Sequence, residues 1–301
     1  MNQEFLKELS GQLPDLEIKK NEPMAKHTTF KVGGPADIYV TPDIKALDTI
    51  LKLAKEYNIP LTIIGNGSNL LVTDKGIRGL VVEIGKAMES IKISGTTITV
   101  GAGTLMSKAA NAAAEAGLGG MEFAAGIPGS IGGAVVMNAG AYGGEIKDII
   151  ESADVITTEG TKLTLNAEEL DLSYRHSCVI DKGYIVTAAT FRLSEKPQEE
   201  IRELMAELRE KRIDKQPLEF PSAGSTFKRP EGYFAGKLIQ DAGLRGYTVG
   251  GAQVSQKHCG FVINKGGATA ADILQLIKDV QDKVMEDAGV YLETEVKLLG
   301  E

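Results

Sequence analysis

The stretch from Gly126 to Gly143 reads GIPGSIGGAVVMNAGAYG and constrains this chain more than any other. Six glycines, one proline and a scatter of alanine, serine and asparagine leave few side chains with which to build a core. Such a segment serves through its backbone, because glycine takes positive φ and lets another molecule approach the main chain closely. Successive N–H groups in a loop of this kind can form a nest for a phosphate or pyrophosphate, and the missing side chains leave room for a flat ring system. A run of tight turns in a β-rich region is the other reading of the same pattern.

The rest of the composition narrows the partners. With 301 residues, 43% of them apolar and 25% charged, the chain has the makings of two globular domains. Its 35 glycines cluster and follow no collagen-like period. A net charge of −8 with no polybasic block argues against nucleic acid or an anionic membrane as the main partner. The opening MNQEFLKEL lacks the basic start and apolar run of a signal peptide, no stretch reaches transmembrane length, and the expected location is cytoplasmic. Cys178 and Cys259 make no CxxC, and His27, His176 and His258 are scattered, so spacing assembles neither a disulfide nor a metal site.

Along the chain, Phe5, Leu6, Leu9 and Leu13 recur at helical spacing in an N-terminal arm taken as residues 1–26. FKVGGPADIYV predicts a turn into a strand, and Asp43 is placed to cap a helix carrying Leu47, Ile50, Leu51 and Ala54. LTIIGNGSNLLV then predicts strand, glycine turn and strand. GNGSNL lacks the third glycine of a dinucleotide fingerprint and leads into no helix; GAGTLM fails at the same glycine, although a helix from about Leu105 to Ala116 does follow. No G-K-[ST] follows either loop, which removes the P-loop reading. What remains is a pair of loops able to grip opposite sides of one extended ligand: Gly65, Asn66, Gly67, Ser68, Asn69 and Leu70 on one side, and Gly126, Ile127, Pro128, Gly129, Ser130, Gly132, Gly133, Asn138 and Gly140 on the other.

Short strands dominate from His27 to Ser194, giving an α+β class for this region. The character changes near Glu195, where KPQEEIRELMAELREKRIDKQP predicts a bridging helix with Ile201, Leu204, Met205 and Leu208 on one stripe. Beyond it come the glycine-serine turn AGSTF, a short helix with Ala235, Leu238 and Ile239 inward, and the strand GFVIN. A longer helix begins at the T-x-x-D cap of Thr269, with Ile273, Ile277, Val280 and Val284 as its apolar face. VYLETEVKLLG closes the chain as a strand with Leu292, Thr294, Val296 and Leu298 toward the core and Glu293 and Glu295 opposite.

Taken in series, KHTTFKVGGPAD, IIGNGSNLL, GIPGSIGGAVVMNAGAYG, SYRHS, AGSTFKRP, AGKLIQDAGLRG, GAQVSQKHCGFVIN and LETEVKLLG resemble the UDP-N-acetylenolpyruvoylglucosamine reductase family, in its order, from His27 to the C-terminus. The absence of an inserted tyrosine-bearing lobe resembles the shorter of that family's two types. The resemblance implies a two-lobed FAD-binding domain of the PCMH type over residues 27–195 (lobes 27–75 and 76–195), followed by a smaller α+β substrate-binding domain over 196–301. It also implies non-covalent FAD, NADPH as co-substrate and UDP-N-acetylglucosamine enolpyruvate as substrate. The flavin passes hydride from N5 to the enolpyruvyl C3, and a proton reaches C2.

Three residues carry over by motif. Ser225 in AGSTF matches the proton donor, Glu295 in LETE matches the group that steadies the developing enol, and Arg175 in SYRHS matches the cation that polarises the substrate carboxylate. Spacing by itself does not choose Glu295 over Glu293. The cations Lys211, Arg212, Lys215, Lys228 and Arg229 gather around Ser225, either as a solvated basic face or as a diphosphate clamp. Tyr233, Gln253 and Asn264 are further candidate substrate contacts. Two rival readings stand beside this one. An oxidase on the same FAD scaffold often holds flavin through a loop histidine, which GNGSNLL lacks. A non-catalytic nucleotide-sugar binder is the other.

Overall fold

A computed structural model describes residues 3–301, so the first two residues of the expected N-terminal arm lie outside it. By internal packing the chain falls into two compact units. The first takes residues up to Lys19, Ile38–Asn66 and Gly79–Lys211, and the second takes Lys20–Asp37, Gly67–Arg78 and Arg212–Glu301. The boundaries expected from sequence were single cuts along the chain, whereas these units are discontinuous. The reason lies in long-range pairing: Leu70–Val72 lies parallel to Lys297–Leu299, in register Leu70↔Lys297 to Val72↔Leu299.

In the first unit, helix α1 (Gln3–Gln12) buries Phe5, Leu6 and Leu9, and Phe5 meets Tyr57 edge-on. Helix α2 (Ile44–Glu56) starts where expected, because the Asp43 carboxylate accepts the amides of Lys45 and Ala46, a cap worth about 1 kcal/mol. It buries Leu53 rather than Leu51. Leu61–Ile64 and Ile77–Glu83 pair in parallel. A five-stranded antiparallel sheet runs in the order Lys162–Asn166, Ile150–Ile156, Ile185–Arg192, Thr97–Gly101, Ile91–Ser94. Helix α3 (Met106–Glu115) follows the GAGTL loop as its alanine-rich spacing predicts.

The glycine segment is less bare than its sequence suggests. It contains helix α4 (Ile131–Val136), which buries Ile131, Ala134 and Val135, so part of the segment is core. Helix α5 (Cys178–Lys182) and the strand Lys19–Pro23 were not expected either. Helix α6 (Gln198–Lys215) forms as predicted, but of its apolar stripe only Ile201 is buried and Leu204 stays 38% exposed.

The second unit is built on helices α7 (Ala235–Asp241) and α8 (Ala270–Ala288) and a sheet ordered Thr248–Val249, Ala252–Val254, Val262–Asn264. In α8 the Thr269 and Asp272 side chains cap each other's amides reciprocally, and Ile273, Ile277, Val280 and Val284 are buried as the spacing requires. The Asp74 carboxylate accepts from the Ala270 and Ala271 amides, fixing the residue 67–78 segment onto this helix. The C-terminal strand is a correction. A bend at Val296 confines regular pairing to Lys297–Leu299, and Leu298, placed in the core by strict alternation, is 53% exposed.

Candidate functional site

In the first unit three loops converge. Pro128 accepts the Asn66 side-chain amide at 2.5 Å, and the GAGTL loop is stitched to the glycine segment by Met106 N to Gly129 O, Ile131 N to Thr104 O and Gly132 N to Ala102 O. A Cβ at Gly65 would stand 2.5 Å from Ser130 Oγ and 3.9 Å from the Gly133 nitrogen, so a side chain there would push the Ser130 hydroxyl aside. The Ser130 side chain is 2% exposed, and its hydroxyl has no hydrogen-bond partner. A buried, unpaired donor costs about 1–3 kcal/mol and calls for an acceptor that the protein does not itself supply. Phosphate oxygens have that character, so the side-chain-poor cradle and the orphaned hydroxyl fit a dinucleotide cofactor. The GAGTL loop, set aside in sequence for its missing third glycine, belongs to this constellation; its glycines were the available signal.

Besides Asn66, two of the expected cofactor residues spend their side chains on the protein. Asn138 is fully buried, with φ +41°; its amide donates to Glu145 Oε2 at 2.8 Å and to the Ser173 carbonyl at 3.1 Å, and its Oδ1 accepts Lys147 N at 2.9 Å. Ser173 and His176 exchange backbone hydrogen bonds, closing a tight turn over Tyr174 and Arg175. Arg175 sits at its apex with φ +56°, a region that non-glycine residues seldom occupy, and its guanidinium lies 5.2 Å from the Tyr174 ring centre.

In the second unit, the second such residue, Asn69, donates its side-chain amide to the Glu295 carbonyl at 3.1 Å and accepts Lys297 N on its own carbonyl at 2.9 Å. Ser225 follows Gly224, which has φ +75°. Next comes Thr226, fully buried, whose carbonyl accepts Glu295 N and whose hydroxyl accepts Val262 N, both at 2.9 Å. Phe227 bridges antiparallel to Thr294, and Lys228 N donates to Glu293 O. The backbones of Ser225 and Glu295 are thereby fixed one peptide apart. The two carboxylates part ways: Glu293 forms an ion pair with Lys228 at 2.5 Å on the surface, while Glu295 is half-buried. Thr226 is the residue sequence reasoning missed, and nothing in AGSTF marks it except its neighbour.

The other candidates divide. Arg229 stacks at 4.0 Å on the exposed Phe234 ring, and its Nε donates to the Tyr233 carbonyl at 3.3 Å, so Arg229 and Tyr233 share one cluster. Arg212 and Lys215 occupy the last turn of α6, where Lys257 Nζ donates to the Ile213 carbonyl. Gln253 donates to Thr248 Oγ1 while its own Oε1 is buried without a partner. Asn264 is spent on structure, donating to Phe30 O and accepting from Gly266 N and Ala268 N. His258 accepts the Gly260 amide on Nδ1, and burial holds its pKa below the ordinary histidine value. Burial likewise raises the thiols of Cys178 and Cys259, which are free and unreactive in character. Among the described residues there is no group of three or more metal-ligating side chains, and no helix is long and apolar enough to cross a membrane.

The mixed sheets and the glycine cradle define an FAD-binding oxidoreductase scaffold: the sequence model of an FAD binding domain matches residues 36–166, and that of the C-terminal domain of UDP-N-acetylenolpyruvoylglucosamine reductase matches residues 216–299. Two relatives of that name are 60% identical (Agathobacter rectalis, all of both chains) and 56% identical (Lachnoclostridium phytofermentans, all of this chain and 99% of the relative). The crystal structure of UDP-N-acetylenolpyruvylglucosamine reductase from Thermus caldophilus superposes with a TM-score of 0.81 at 37% identity, over 95% of this chain and 99% of that one. This chain belongs to the UDP-N-acetylenolpyruvoylglucosamine reductase family.

Proposed function

We propose that the chain reduces UDP-N-acetylglucosamine enolpyruvate to UDP-N-acetylmuramate, a peptidoglycan precursor, in the cytoplasm, with NADPH as electron source and non-covalent FAD. In this reading residues 27–195 serve the cofactor and 196–301 the substrate. The loops Gly65–Leu70 and Gly126–Gly140 hold FAD by backbone amides and by the Ser130 hydroxyl; the side chain of Asn69 is spent on the Glu295 carbonyl, and both the side chain and the backbone N–H of Asn138 are spent within the protein. FAD bound there would supply the redox chemistry that couples oxidation of NADPH to reduction of the enolpyruvyl double bond.

The chain's own residues handle charge and the proton. Arg175 offers parallel N–H donors to the substrate carboxylate, where negative charge grows as C3 receives hydride. Ser225 holds the proton destined for C2, and general acid assistance of this kind is worth about 10²–10⁴ in rate. Glu295 steadies the developing enol. Arg212, Lys215, Lys228 and Arg229, with Tyr233 and Gln253, serve the diphosphate and uridine end. Asn264 holds the Gly266–Ala268 turn and the Phe30 carbonyl rather than substrate.

The observation that carries this reading is the short ladder through Thr226, which holds the backbones of Ser225 and Glu295 one peptide apart. The test is a pair of half-reactions. Ser225→Ala should still be bleached by NADPH but should reoxidise on adding the enolpyruvyl substrate about 10²–10⁴ times more slowly. A folded variant that loses the NADPH step instead would refute the role of Ser225.

A further inference from the structure

The glycine segment also fastens the turn that carries Arg175. Its helix α4 ends at Val136, whose carbonyl accepts Ser177 Oγ at 2.8 Å, and two residues later Asn138 donates to the Ser173 carbonyl at 3.1 Å. The turn is thereby held at both ends by neighbouring points of one segment. The Ser173 carbonyl also accepts His176 N at 3.2 Å, so Asn138 grips the very peptide that closes the turn. Inside that closure Arg175 is held at φ +56°. A left-handed arginine is strained and persists only where its surroundings over-determine it.

Asn138 is itself held. It too is left-handed, it is fully buried, and the remainder of its amide is taken by Glu145 Oε2 and Lys147 N. Glu145 is anchored in turn by an ion pair to Lys147 Nζ at 2.6 Å and by a reciprocal cap with Asp148. Every hydrogen of the Asn138 amide therefore has a protein acceptor. Its side chain works on the scaffold, and the part of the scaffold it reaches is the arginine turn.

We infer that Asn138 is a positioning residue: through the Ser173 carbonyl it sets where Arg175 stands relative to the glycine segment, and so where the guanidinium meets the substrate carboxylate. This inference rests on the role given to Arg175 above. A buried asparagine that only stabilised the fold would lower stability without distinguishing the two half-reactions, and its effect would not depend on the arginine.

The test is a double-mutant cycle read by stopped-flow flavin absorbance. Asn138→Asp keeps the acceptor for Lys147 N and tolerates the left-handed backbone, but it removes the donors to Ser173 and to Glu145 and sets a second carboxylate against Glu145 Oε2, so the side-chain-free Asn138→Gly is the cleaner variant. Asn138→Gly relieves the backbone entirely and removes the side chain, which gives a second variant should the first not fold. Each is made alone and with Arg175→Ala. The expected result is that reoxidation by the enolpyruvyl substrate slows by about 10- to 100-fold in the Asn138 variants, well beyond any change in reduction by NADPH. The loss should vanish when Arg175 is already alanine. Equal losses with and without Arg175, or unimpaired reoxidation in the single variants, overturn the inference while leaving the arginine's role standing. Normal reoxidation in Arg175→Ala alone overturns both.

Discussion

Replacing Thr226 by valine removes one oxygen and leaves the shape of a fully buried side chain almost unchanged. The hydroxyl accepts the Val262 amide, which belongs to a buried strand and has no water to turn to. Leaving that donor unsatisfied costs about 1–3 kcal/mol, a factor of about 5–150 in the local opening equilibrium. The same residue's carbonyl receives Glu295 N, and its own amide donates to Gly260 O, so a loosened Thr226 frees both the Ser225 turn and the Glu295 backbone. Thr226→Val should therefore lower the urea midpoint, speed hydrogen exchange at the Val262 amide and slow flavin reoxidation by the substrate. Thr226→Ser keeps the oxygen and loses one methyl, worth about 0.8 kcal/mol, and should retain Val262 protection. If valine proved as stable as threonine with Val262 still protected, and serine were the damaging change, then packing rather than the hydrogen bond would hold the ladder.

Two further outcomes follow from the same geometry. Ser130→Ala removes the orphaned hydroxyl and should weaken FAD binding by about 1.5–3 kcal/mol, or roughly 10- to 150-fold, in a fluorescence titration of the apoprotein. Unchanged affinity would detach Ser130 from the cofactor. Burial holds the pKa of His258 below 6.5, so the unfolded chain takes up the proton first, and stability fully present above pH 6.5 is lost as pH falls from there toward the lower folded value. Urea midpoints between pH 7.5 and 5.5 should fall less steeply for His258→Asn, which keeps an acceptor for Gly260 N; parallel slopes would exclude His258 as a source of the acid sensitivity.

What the sequence determined by itself was mostly local. Asp43 caps α2 through amides two and three residues on, and Thr269 and Asp272 cap α8 across three residues, so the pattern contains the whole interaction. Glycine clusters marked the cradle for the same reason, since backbone freedom belongs to the residue. Tertiary structure alone decided that α4 turns part of the glycine segment into core, and that Asn138 serves an arginine turn 35 residues away. It also set Glu295 apart from Glu293, through an amide donated by Asn69 from 226 residues earlier and a lysine that claims the other carboxylate. Such partners meet only after the chain has closed on itself, because their hydrogen bonds depend on a register that no short window of sequence encodes.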